Sequence, residues 1–192
     1  MANASTTGFG FRPIKKIAQN YNNAALSEYS VAASSALISH ACLVQLTANG
    51  VVLASGNTDT NNLGTLNGVF YTDATSNKPT FSNFSPASNT ATDIVAFIND
   101  DPMQMYEIMS ADTAFNQNEV GHCADQVLEA GSSPLFISKS KISATTATTQ
   151  AQLFIMGVSR DPDHSDTSAE GFALRVQIRE HILVGNDTQR AG

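Results

Sequence analysis

Apolar and polar residues alternate with a period of two through the last third of the chain. In Phe172 to Leu183, Leu174, Val176 and Ile178 oppose Arg175, Gln177 and Arg179. In Ala147 to Val158, Ala151, Leu153 and Ile155 oppose Gln150, Gln152 and Phe154. Successive side chains on a strand point to opposite faces of a sheet, so each stretch predicts a strand with one buried face. The polar run Arg160 to Gly171 between them predicts an antiparallel hairpin. Met103 to Met109 alternates in the same way, with Met103, Met105, Glu107 and Met109 against Tyr106 and Ile108. Pro102 just ahead of it, and the lack of a second turn of apolar matches, argue against a helix there. Ile94 to Ile98 is a short continuous apolar run, as in a strand buried on both faces, and Asp100-Asp101-Pro102 stops it.

Earlier in the chain the elements are shorter. Tyr29-Ser30-Val31 is a brief strand candidate. Ala41 to Leu46 is a stronger one, and Asn49-Gly50 turns it back into Val51-Val52-Leu53, a tight hairpin. Leu63 to Tyr71 reads as a strand interrupted by a bulge or second turn at Asn67-Gly68. Residues 73–92 are rich in Ser, Thr, Asn and Pro, with Phe81 and Phe84 set among polar neighbours, and read as a long loop or an irregular edge strand. Val127-Leu128 fits a helical turn or a short strand. At least seven short strands separated by turn signals predict an all-β fold, a barrel or sandwich of short antiparallel strands.

The first 27 residues follow a different pattern. Met1 to Gly10 is small and polar. Phe9, Phe11, Arg12, Pro13, Ile14, Lys15, Lys16 and Ile17 then mix aromatic, basic and aliphatic residues without a helical stripe, and Pro13 restricts Arg12 to extended backbone. The expectation is an extended N-terminal arm with aromatic anchors over residues 1–27, connected through a flexible stretch at 18–25. A β body follows over 28–184, open to division into two small lobes at about 28–98 and 99–184. Residues 185–192 are expected to form a flexible tail.

Composition supports the β reading. Charged residues make up 14% of the 192-residue chain and apolar ones 42%. The surface is therefore polar but weakly charged, and the Lys and Glu that favour exposed helices are scarce. The net charge is −7, distributed as +3 before Glu28 and −10 after it. A basic arm on an acidic body suggests two surfaces with different jobs. The overall charge argues against nucleic acid as a partner. No apolar run approaches the ~20 residues of a spanning helix, and no secretory leader pattern opens the chain. The expectation is a protein folded in a cytoplasm, with no membrane partner.

Candidate chemistry is sparse. No G-x-S-x-G, Walker-type glycine loop, H-E-x-x-H, C-x-x-C or G-x-G-x-x-G occurs. Asp161, Asp163, Asp166 and Glu170 surround His164, but a calcium loop places glycine where Asp166 stands, so a solvated hairpin loop is expected. His40, Cys42, His122 and Cys123 offer nitrogen and sulfur, yet an adjacent His-Cys pair points to opposite faces of a strand, which disfavours a zinc site. Cys42 and Cys123 are too few for a disulfide framework and are read as buried free thiols. No catalytic residue, metal or cofactor is expected.

Several segments together carry a resemblance. They are Met1-Ala2-Asn3 leading to Gly10-Phe11-Arg12-Pro13, Asn99-Asp100-Asp101-Pro102 followed by Tyr106-Glu107-Ile108, and Val120-Gly121 with Ala124-Asp125. The set closes with Ala151-Gln152-Leu153-Phe154-Ile155-Met156-Gly157 and Ala173 to His181. In this order and spacing the chain resembles the small head-decoration, or cement, proteins of tailed bacteriophages, of the aquatic and cyanophage type. The family often places a Gly-Asp-Pro-Val-like turn before its first core strand; Ser39-His40-Ala41-Cys42 stands there in this chain. The resemblance implies a β body without catalysis, present in many copies on the outer surface of the capsid. Its expected partners are the major capsid protein, reached through the arm, and further copies of itself, with a homotrimer favoured. A host-adhesion or receptor-binding β module is the alternative.

Overall fold

The computed structural model describes residues 3–17, 26–33, 35–55, 61–147 and 151–184. In chain order the strands are β1 (Arg12–Lys16), β2 (Ser27–Ser30), β3 (Leu43–Thr47), β4 (Gly50–Leu53), β5 (Asn62–Thr72), β6 (Pro79–Ser82), β7 (Val95–Asn99), β8 (Gln104–Met109), β9 (Cys123–Val127), β10 (Lys141–Ala147), β11 (Leu153–Val158) and β12 (Ala173–Ile178). Among the described residues the only helical pieces are single 3-10 turns at Gln117–Glu119 and Pro162–His164. The protein is all-β, with two antiparallel sheets forming a sandwich-like body and no closed barrel.

One sheet runs β2-β7-β5-β3-β4, with β6 beside the far half of β5; the other runs β1-β8-β12-β11-β9-β10. β1 belongs to the second sheet and β2–β7 to the first, and the chain returns to the second sheet at Asp100-Asp101-Pro102, between β7 and β8. Both sheets curl, and single isolated bridges reach across the open side of each without closing a barrel. Val31, just past β2, forms an isolated parallel bridge to Val51 of β4, and Ser110, just past β8, forms one to Ile142 of β10. Strand twist accounts for the curl, and the bulges in β5 (at Asn67 against β7 and at Leu63 against β3) and in β11 (at Met156) sharpen it.

Each curled sheet wraps an apolar cluster. Phe11, Tyr106, Ile108, Leu153, Ile155, Phe172, Leu174 and Val176 fill one; Ile38, Val44, Val51, Leu63, Leu66, Val69, Ala96 and Ile98 fill the other. The clusters interlock. Leu43 of β3 and Ala54 belong to the first cluster, while Val44, next in the chain, belongs to the second. In return Leu128 and Ile182 pack against the second cluster. Period-two alternation on β3 therefore serves both cores at once.

The stretch expected as a free arm is, over residues 3–17, part of the body. β1 is an edge strand paired antiparallel with β8, Arg12 opposite Glu107 and Lys16 opposite Gln104. Phe11 is fully buried, its ring edge-on to Tyr106 at 6.0 Å. The segment holds too few apolar residues for a core of its own, but Phe11 fills a slot built by other strands, and Arg12 and Lys16 meet the carboxylates of Glu107, Asp161 and Asp101. Gly10, at φ +70°, makes the docking possible, because a side chain there would meet the Ala41 carbonyl oxygen at 2.5 Å. Asn3 fixes the far end, donating to the carbonyls of Asp166, Ala169 and Glu170. The connection at 18–25 and the tail at 185–192 lie outside the described residues.

The predicted strands at 103–109 and 94–98, the Asn49-Gly50 hairpin and the Asn67-Gly68 bulge occur in the fold, and the strand expected over 172–183 forms as far as Ile178, where the chain turns. β8 departs in one respect: every residue in it is buried, Tyr106 and Ile108 in the core and Glu107 on the other face against Arg12 and Ser159. The residue 73–92 stretch contains the short edge strand β6, and Val127 ends strand β9. β10 was not anticipated; its Lys141-to-Ala147 sequence carries one large apolar residue, Ile142, and becomes a strand by pairing with β9.

Candidate functional site

The eight residues singled out near the N-terminus stay together in space, locked onto the body. Arg12 pairs with Glu107 and, at 2.8 Å, with Asp161. Its guanidinium also lies 4.6 Å above the Phe9 ring, which in turn packs against His164 at 5.4 Å. Glu107 is buried and accepts a second bond from the Ser159 hydroxyl. The Asp163 N–H, first, and then Arg12 hold the Asp161 carboxyl below its usual range against the opposing pull of burial. At the other end of β1, Lys16 pairs with Asp101 at 2.5 Å. Burial pushes the Asp101 carboxyl upward, but the Lys16 ammonium and the Met103 N–H outweigh it and the net shift is down. Gln104 donates to the Lys15 carbonyl at 3.0 Å, a further clasp between β8 and β1. Pro13, Ile14, Lys15 and Ile17 are half-buried along the outer edge of the sheet.

Arg12 and Lys16 are thus both paired, although the Arg12 side chain remains exposed. Nothing in the local sequence announced it: Glu107 and Asp161 lie 95 and 149 residues away from Arg12. The apolar surface that does face outward comes from elsewhere. Leu135 and Ile137 are exposed at the tip of the loop between β9 and β10. With Pro134, Phe9, Gly8 and Lys139 they line an open groove of about 370 Å³. A second apolar face lies on the β6 side of the first sheet, where Phe81 and Phe70 are exposed. Large apolar residues isolated in Ser/Asn/Pro-rich stretches were the signal that could have marked both surfaces.

No family model, curated protein or solved structure matches the chain. The geometry of the site therefore carries the functional argument alone. Among the described residues no three of His, Cys, Asp and Glu gather to hold a metal. The Asp161 carboxylate accepts from the Asp163 N–H and from Arg12, and the Asp166 carboxylate from the Ser168 N–H and hydroxyl. Cys42 and Cys123 are buried free thiols. Burial raises the Cys42 pKa to about 12, which leaves it protonated and unreactive at neutral pH. Cys123 accepts a 3.1 Å contact from Arg179. His181 is buried between Asn62 and the acidic pair Asp100 and Asp101; desolvation lowers its pKa and the two carboxylates oppose that shift. Each of these groups is placed for structure.

Proposed function

We propose that this protein is a non-enzymatic virion structural protein that binds the outer surface of a tailed-phage head in many copies, as a homo-oligomer, and reinforces the shell. The observation that carries the reading is the groove along the docked N-terminal segment. Phe9 on one side and Leu135 and Ile137 on the other present apolar surface to a partner, and Lys139 in the lining supplies positive charge. A coat surface with an apolar projection and flanking carboxylates suits it. The segment expected to reach out as an anchor takes part here as one wall of the groove and as the open edge of β1. Each contact adds modestly, and a shell stabilised by many copies needs no single strong one.

The test is binding of the purified protein to empty heads. Saturable decoration is expected, weakened at least ~10-fold by the double substitution L135D/I137D, because charge would then be buried in an apolar contact. Heads that stay bare at high protein concentration would end the decoration reading. Retention on host cells under the same conditions would move the function to adhesion.

A further inference from the structure

The outer face of the first sheet carries an aromatic platform. Phe70 on β5 and Phe81 on β6 are directly opposed register partners, so their side chains lie on the same face. Phe97 on β7 is opposite Gly68 of β5, and with no side chain at Gly68 the Phe81 ring lies across β5, 5.9 Å from the Phe97 ring. Val95, opposite Phe70, completes the row. Phe81 is 65% and Phe70 40% exposed, while Val69, Ala96 and Ile98 on the other face of the same strands are fully buried. The core on the inner face thus leaves this platform uncovered. β6 is also an edge: among the described residues it pairs with β5 alone, so its other side presents unpaired backbone groups.

Charge indicates what can cover the platform. Of the chain's 10 basic and 17 acidic residues, only Glu28, Asp59, Asp73, Lys78 and Asp93 fall within residues 26–99. Asp93 accepts from the Thr72 N–H and hydroxyl, and Asp73 from the Thr75 N–H and the Ser76 hydroxyl, so both carboxylates are engaged at home. The charges left at the platform's margins are one carboxylate, Glu28 on β2 opposite Phe97, and one cation, Lys78 just ahead of β6; a nucleic acid would need several cations here and a basic partner several carboxylates. Two copies of a chain with net charge −7 repel over most of their surface and can come together only where charge is sparse. An aromatic surface this sparse in charge, with an acidic residue at one margin and a basic one at the other, is complementary to another of its kind.

We infer that a second copy of this chain docks on the Phe70–Phe81–Phe97 face, with the β6 edge at the centre of the contact. This assigns a face to the self-association in the proposed function and rests on no other part of that reading. Sedimentation velocity of the full chain, without heads, tests it over a range of protein concentrations and from low salt to about 1 M, where charge is screened. Association is expected at micromolar protein and should persist or tighten with salt. Phe81→Asp should weaken it by at least ~30-fold, as loss of a central aromatic does. Val127→Asp, at an apolar site of similar exposure on β9, should leave it unchanged. Phe81→Ser repeats the test without added charge, with circular dichroism confirming the fold of each variant. A monomer at every concentration, or an oligomer that survives both Phe81 substitutions, overturns the inference, and either result leaves head binding to be judged by its own assay.

Discussion

At the level of single residues, Phe11 and His181 show how far burial changes the meaning of a side chain. Phe11 sits in a segment that by composition belongs to a tail, yet it has no exposed surface. Phe11→Ala should therefore cost about 3–5 kcal/mol, as truncating a core aromatic does, measured by urea unfolding. The half-buried Phe9 should lose well under half as much. His181 sits where desolvation disfavours its charged form, so its folded pKa lies below the ordinary 6.5. The unfolded chain then binds its proton more readily than the folded one. Stability from this group is complete above about pH 6.5 and falls as the pH drops through the folded pKa. Equilibrium unfolding should show a decline beginning near pH 6.5, above the range where carboxylates titrate, and His181→Gln should flatten that upper part of the slope.

Among the elements, β1 has the largest consequence. It closes one edge of a six-stranded sheet, covers β8 and brings Phe11 into the core. A natural edge is protected, and here the protection is visible: Pro13 withholds an N–H, the register shifts between Pro13 and Lys15, and basic residues line the strand. Deleting residues 1–17 should expose the β8 backbone, strand Glu107 without Arg12 and open a phenylalanine-sized hole. The truncated chain should bind a hydrophobic dye such as ANS and aggregate at concentrations where the full chain stays clear in a light-scattering assay. A soluble truncation with an unchanged melting temperature would show that β1 contributes little. The same docking explains why replacing the three basic residues would alter stability as well as any contact with a partner.

For the whole molecule the question is whether two curled sheets with two cores behave as one unit. Leu43 and Val44, adjacent on β3, belong to different clusters, and Ile182, just past β12, donates its N–H to the Asn62 carbonyl at the start of β5. Gln126 reaches from β9 to the carbonyls of Ala54 and Ser55. Unfolding either half would open part of the other, so a single cooperative transition is expected. Near- and far-ultraviolet circular dichroism should trace coincident denaturation curves; two separated transitions would show independent lobes.

The sequence by itself determined the fold class and most strands. Period-two alternation at 103–109 and 172–183, the buried run at 94–98 and the Asn-Gly turns are local signals, set by backbone geometry and by which face of a strand meets water. Strand β10, with few apolar residues of its own, left no such signal, because a strand that gains its order from a neighbour's backbone need not be apolar. The tertiary structure alone decided the fate of the N-terminal segment. Ion pairs between Arg12 and Glu107 or Asp161 join residues far apart in the chain, and whether a phenylalanine floats or fills a core depends on a cavity that other strands build. It also decided which aromatics remain outside: Phe11 and Phe81 are chemically identical, and only the packing of the sheets around them buries one and leaves the other on the surface.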